Sequence, residues 1–324
     1  MEVCYIMKKI LVTGALGQIG SELTMKLRDI YGRDNVVASS RRKKEGQESI
    51  IESGPFEIVE VTDGKQISEA VKKYKINTIV HLAALLSAVG EHDPQKAWNI
   101  NMNGLYNVLE VAREENCAVF TPSSIAAFGP STPKDKTPQD TIQRPETMYG
   151  VTKVAGEILS DYYFKKFGVD TRGVRFPGLI SYDTLPGGGT TDYAVHIYYE
   201  AIKHKKYTCY IQKGTYMDMM YMPDALHAIV SLMEADPDKL IHRNAFNISA
   251  MSFEPEDIYG EIKNNIPEFT MDYDVDPVRQ AIADCWPNSL DDTAAREEWG
   301  WKPEYDLPKM TVDMLTKLAD KLKK

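Results

Sequence analysis

From Ile10 onward the apolar residues of the chain switch between two rhythms. Ile10-Leu11-Val12-Thr13 is a short apolar run that ends at a glycine turn, which predicts a buried strand. Ile19, Leu23, Leu27 and Ile30 follow at spacings of four, four and three, the period of a helix with one apolar face. The same reading predicts strands over 36–39, 56–61, 78–82, 118–122 and 171–176. It predicts helices over 67–74, 98–116 and 148–167. Strands that alternate with helices make βαβ units and a parallel sheet. Because such crossovers are right-handed, the expected assembly is an α/β, doubly wound sheet. After about Gly178 the rhythm breaks into a Pro186–Gly189 loop, a tyrosine-rich helix over 192–204, short mixed segments and a final helix from Leu307. A smaller, mostly C-terminal α/β lobe is expected there, with some segments returning to the main sheet.

Composition narrows the classes without naming one. At 324 residues the chain is long enough for two domains or one large domain with an appendage. Its 43% hydrophobic and 26% charged residues are ordinary for a globule and exclude fibrous and disordered classes. A net charge of −9 argues against nucleic acid or an anionic membrane as partner. Cys4, Cys117, Cys209 and Cys285 are scattered and read as reduced thiols. No HExxH or Cys/His cluster suggests a metal. No apolar run approaches the roughly 20 residues that span a bilayer, and the first nine residues are too short in apolar stretch for a signal peptide. A cytoplasmic, metal-free enzyme is the expectation.

The first turn reads Thr13-Gly14-Ala-Leu16-Gly17-Gln18-Ile19-Gly20, between a strand and a helix. Glycines there permit a tight turn, close approach of backbone to a pyrophosphate, and close helix packing, while the helix N-terminus faces the phosphates. Gly14, Leu16, Gly17, Gln18 and Ile19 are therefore candidate dinucleotide contacts, and 8–178 is read as the Rossmann dinucleotide-binding domain, with 179–324 as the substrate-binding lobe. At the end of the second strand, where an acid would hold the ribose 2′-hydroxyl, the chain has Ser40, then Arg41 and Arg42. Arginine there accepts a 2′-phosphate, which points to NADP or dual use; the pair equally well opens a charged loop. Glu60 and Val61 suit the adenine, and Leu82, Ala83 and Ala84 offer backbone and small side chains beside the cofactor.

Tyr149-Gly-Val-Thr-Lys153 places a phenol and an ammonium four residues apart at a helix start. A phenol needs a nearby cation before it takes a proton near neutrality, and Lys153 supplies one. The spacing alone is weak, because six Tyr-x-x-x-Lys matches occur, starting at Tyr5, Tyr149, Tyr162, Tyr199, Tyr259 and Tyr305. Only Tyr149 opens the helix after the strand ending Pro122-Ser123-Ser124, where Ser124 can hydrogen-bond the reacting oxygen. Asn101 on the preceding helix is a candidate for ordering a water or backbone carbonyl in a proton relay, or is simply a helix-surface amide.

These motifs, with His81-Leu-Ala-Ala84, Asn101-Met-Asn-Gly104 and Phe128-Gly129, resemble the extended branch of the short-chain dehydrogenase/reductase superfamily over essentially the whole chain. Five further segments, Leu85 to Glu91, Arg175 to Ile180, Gly187 to Tyr193, Tyr221 to Leu226 and Asp291 to Trp301, resemble the short-chain type of L-threonine 3-dehydrogenase. The resemblance implies oxidation of the threonine β-hydroxyl to 2-amino-3-oxobutyrate, without zinc and with NAD. It assigns Tyr149, Lys153 and Ser124 to catalysis and Leu179 to the carboxamide. Ser87, Thr190, Thr191 and Asp192 would grip the amino acid, with Gly187–Gly189 as a hinge. Where such proteins carry aspartate this chain has Ser40, which leaves NADP or dual use open. The resemblance also implies a homodimer formed through the two long helices, 98–116 and 148–167. A nucleotide-sugar epimerase or dehydratase is the alternative, with a redox-sensing regulator as the non-catalytic one.

Overall fold

The computed structural model describes residues 7–184 and 189–323. Six parallel strands form the central sheet in the order Phe56–Ile58, Val36–Ser40, Ile10–Thr13, Thr78–His81, Ala118–Phe120, Thr171–Arg172. Their core-facing residues, such as Ile10, Val12, Val80 and Phe120, are fully buried because helices cover both faces. The strand order reverses between Ile10–Thr13 and Thr78–His81, so a crevice opens at their carboxyl ends. This is the α/β, doubly wound Rossmann arrangement with a C-terminal lobe.

The sheet continues beyond a step. At Gly173 a Cβ would lie 2.6 Å from the Thr121 carbonyl, and here the pairing is interrupted and resumes in the same register, Val119 opposite Thr171 before it and Ser123 opposite Arg175 after it. Past it, Ser123–Ser124, Val174–Phe176 and Phe246–Asn247 pair in parallel, so a strand from the C-terminal half runs beside the N-terminal ones. The helix Met222–Glu234 also packs into the core around the first strand. The lobe itself is built on Gly178–Ile180, Met217–Tyr221 and Met251–Phe253, with Tyr193–His204, Pro255–Asn265 and Leu307–Leu322 around a second core rich in tyrosine and methionine. No helix among the described residues is long and apolar enough to cross a membrane.

Three elements differ from the periodicity. Ile30 is 48% exposed, and Arg28 takes an inward position on the helix Gln18–Tyr31. The Arg28 guanidinium donates to the carbonyls of Val36, Ile50 and Pro55 at 3.3, 2.6 and 2.8 Å, satisfying a loop whose carbonyls would otherwise be buried alone. The third strand stops at Ile58, because the chain turns to start the helix Gly64–Tyr74, with Asp63 as its cap and the Gln66 side chain accepting from Glu60 N. The helix expected over 98–116 is Pro94–Trp98, a wider π-type turn at Asn99–Asn103, then Gly104–Glu115. That turn swings Asn101 inward.

Candidate active site

The turn after the first strand fits a pyrophosphate. Gly14 has φ of +70°, and a Cβ there would lie 2.7 Å from Ala83 N; one at Gly20 would lie 2.2 Å from Gly14 O. The fold itself demands both. At Gly17, which is exposed, the nearest atom to a Cβ is the Gly14 carbonyl oxygen at 3.2 Å, a contact that a small shift relieves. The helix behind it begins at Gln18 with no side-chain cap and no carboxylate in its first turn, which leaves N–H groups and dipole for an anion. Leu16 packs its side chain into the core and offers only backbone. Farther along, a cavity of about 170 Å³ is lined by Gly14, Ser40, Arg41, Glu60, Val61, Ala83 and Ala84, dimensions and groups that suit an adenosine. Arg42 is exposed and does not line it.

The other arm of the crevice is a second cleft of about 170 Å³. Gln18 and Ile19 enter from the phosphate turn, Ser124, Tyr149 and Lys153 from one wall, and Leu179, Thr190, Thr191 and Asp192 from the lobe, with Ser87 at its edge. The approach of the helix Met148–Phe167 to the strand depends on Gly150, where a Cβ would lie 2.2 Å from the Ala126 carbonyl. Thr147 caps this helix, its hydroxyl accepting from Gly150 N at 3.1 Å. Ser124 is hydrogen-bonded to the Tyr149 phenol and also accepts from Ala126 N at 3.2 Å. Opposite, Gly178 lets Thr191 pack onto the strand carrying Leu179, since a Cβ there would lie 2.7 Å from the threonine methyl. Asp192 accepts from Gly189 N at 2.5 Å, which fixes its carboxylate at the start of the lobe helix. Of the expected hinge, Gly187 and Gly188 lie outside the described residues.

Burial pushes the Tyr149 phenol up to about 12, opposed by the Ser124 hydrogen bond. The same burial pulls Lys153 down to about 8, with Glu157 acting against it. Lys153 donates to the Pro122 carbonyl at 2.6 Å, and its Nζ lies 5.3 Å from the Tyr149 ring centre. Desolvation outweighs the neighbouring charge because the pocket walls are low in dielectric. Asn101 faces away from the cleft. Its amide bonds both Leu85 N (2.8 Å) and Leu85 O (3.1 Å) and donates to Thr152, so what it orders is backbone. Asn101 and Leu82 line a third, smaller cavity of about 40 Å³ behind Lys153.

Trp286 also lines the cleft, and sequence reasoning missed it. It lies in a segment without a recognisable motif, brought in by the C-terminal fold and held by Lys134 donating to its carbonyl at 2.9 Å. No group of three or more histidine, cysteine or acidic residues among those described could hold a metal ion.

A model of the NAD dependent epimerase/dehydratase family matches residues 10–260. An uncharacterized epimerase/dehydratase of Staphylococcus haemolyticus is 59% identical over 315 residues, 97% of this chain and 99% of that one. The structure of an L-threonine dehydrogenase from Clostridium difficile is similar at 68% identity and a TM-score of 0.96, covering 97% of this chain and 98% of that one. A monomeric L-threonine 3-dehydrogenase from a metagenome is similar at 45% identity and a TM-score of 0.91, covering 97% and 100%.

Proposed function

Because the chain belongs to the NAD dependent epimerase/dehydratase family, we propose that it oxidises the β-hydroxyl of L-threonine to 2-amino-3-oxobutyrate, with NAD as its dinucleotide. Family and neighbours together imply a nicotinamide dinucleotide cofactor. One observation carries the choice of substrate. The cleft sets Ser124, Tyr149 and Lys153 against Ser87 and Thr190–Asp192 in about 170 Å³, and Lys153 is the lone cation among its described lining residues. A nucleotide sugar brings a diphosphate that needs further cations, whereas a small zwitterion needs one carboxylate and a few hydroxyls and N–H groups.

In this reading Tyr149 takes the β-hydroxyl proton, and Ser124 hydrogen-bonds the same oxygen so that it stays aligned with the phenol. Lys153 stabilises the Tyr149 phenolate from which the step starts, and taking the proton returns it to the neutral phenol. Asp192 pairs with the substrate ammonium, while Ser87, Thr190 and Thr191 bind its carboxylate. The backbone of Leu179 fixes the carboxamide, and Trp286 closes the apolar side of the cleft. When bound, the dinucleotide accepts the hydride from Cβ. Two copies of the chain pair through the apolar faces of the helices Gly104–Glu115 and Met148–Phe167.

The test is reduction of NAD or NADP by the purified chain on addition of L-threonine, with UDP-sugars as the comparison. Threonine-dependent reduction is expected. Turnover of a UDP-sugar with none of threonine overturns the reading.

A further inference from the structure

Glu157 lies one helical turn beyond Lys153 on the inner face of Met148–Phe167, and it is the best-connected carboxylate near the cleft. It is buried, and it accepts from the Ser123 hydroxyl, from Gln143 at 3.0 Å and from Arg175 at 2.8 and 3.1 Å. Arg175 spends its remaining donors on the Gln139 carbonyl (2.9 Å) and the Asn247 side chain (3.0 Å). Ser123 and Arg175 are registered partners on adjacent strands, so Glu157 ties the helix to both. Ser123 sits between Pro122, whose carbonyl receives the Lys153 ammonium, and Ser124. Lys153 and Glu157 also line the same small cavity, so little water lies between them to screen their charges.

Resting on the function proposed above, we infer that Glu157 is a positioning residue. Its carboxylate keeps the Lys153 ammonium charged against the Pro122 carbonyl and fixes the strand that carries Ser124, and Arg175 sets how much of its negative charge reaches Lys153. Asp192 lines the opposite, lobe wall of the cleft and is fixed on Gly189 N, so among the groups around Lys153 it is Glu157, on the same helix, that acts as the countercharge. Tyr149 on the same helix presents its ring to the ammonium, and burial pushes its phenol up to about 12. His81, on the neighbouring strand, is held neutral with its pKa down at about 3 and is bonded to Thr13 at 2.8 Å. Asn101, Thr152 and Asn244, which complete the cavity wall, carry no charge. Burial draws Lys153 down to about 8, and Glu157 is the influence raising it.

The experiment is a pH titration of the Lys153 ammonium, followed by the 13Cε shift in protein labelled at lysine and assigned by loss of the signal in Lys153→Met. Glu157→Gln should move the midpoint down by about one pH unit, the low end of what a nearby opposite charge does. Arg175→Met should move it up, because the carboxylate loses its neutralising partner. Opposite shifts distinguish this role from a structural one, since both variants break the same ion pair and a structural defect would act alike in both. Where Glu157→Gln alone does not fold, the double variant with Arg175→Met removes both buried charges and should still titrate below wild type. An unchanged midpoint, or shifts in the same direction, overturns the inference. The titration needs no substrate, so an inactive enzyme would sink the threonine reading while leaving this one to be judged. With threonine turnover in hand, the alkaline limb of kcat/KM should follow the same two directions.

Discussion

The Tyr149 phenol, held near 12 by burial, reaches neutral-pH chemistry only with help from neighbouring charge, so its loss should show in turnover rather than in binding. Tyr149→Phe removes the proton acceptor and leaves the ring packing, and kcat should fall by about 10²–10⁴-fold, the usual worth of a placed acid or base. Dinucleotide affinity, measured by fluorescence, should stay within a few-fold; a kcat within tenfold of wild type would remove Tyr149 from the chemistry. At the adenosine end, Ser40 and Arg41 share a cavity with Glu60. Ser40→Asp should add repulsion against a 2′-phosphate and raise the NAD over NADP ratio of kcat/KM by at least about tenfold, since a close like-charge contact costs more than the 1.4 kcal/mol that tenfold represents. If wild type already prefers NADP clearly, NAD is the wrong assignment. The residues read from motifs, Tyr149, Lys153, Ser124 and the glycines, carry their spacing in the chain itself. Trp286 and Glu157 do not, because one reaches the cleft through the C-terminal fold and the other matters through partners at 123, 143 and 175.

At the level of elements, the phosphate turn separates two kinds of glycine requirement. Gly14→Ala forces a side chain into left-handed backbone and against Ala83, and should destabilise the fold by about 1–3 kcal/mol or more. Gly17→Ala meets only a 3.2 Å contact, so melting should move by a few degrees at most while the KM for dinucleotide rises by at least about tenfold. A Gly17→Ala protein that keeps wild-type KM would show that the pyrophosphate lies elsewhere. Short apolar runs and the helix Gly64–Tyr74, which buries Ile67, Ala70 and Val71, were readable because burial on one face writes a period into the sequence. The turn at Asn99–Asn103 was not, since Asn101 is drawn inward by Leu85 and Thr152, partners 16 and 51 residues away. Arg28 hid for a related reason: a charged residue looks like a surface position until the carbonyls it satisfies are in place.

On the scale of the molecule, the helix that carries Tyr149, Lys153 and Glu157 inward presents the opposite stripe outward. Val151, Ile158 and Tyr162, at spacings of seven and four, are all exposed, Ile158 by 64%, and Trp98 and Tyr106 on the adjoining helices are exposed as well. Single exposed apolar residues need no explanation, whereas a stripe along two packed helices has the character of an interface core. A monomeric relative exists among the similar structures, so fold alone does not decide assembly. Ile158→Glu places a charge in the middle of the stripe, where a dimer would have to bury it unpaired at a cost of several kcal/mol. Wild type should sediment as a dimer at micromolar concentration, and Ile158→Glu as a monomer with its fold intact by circular dichroism. A wild-type chain that sediments as a monomer at that concentration removes the dimer. A variant that stays dimeric moves the interface to another face. If the dimer forms as argued, it braces the outer face of the helix whose inner face holds the proton chemistry, and the monomeric variant should then lose turnover together with melting temperature.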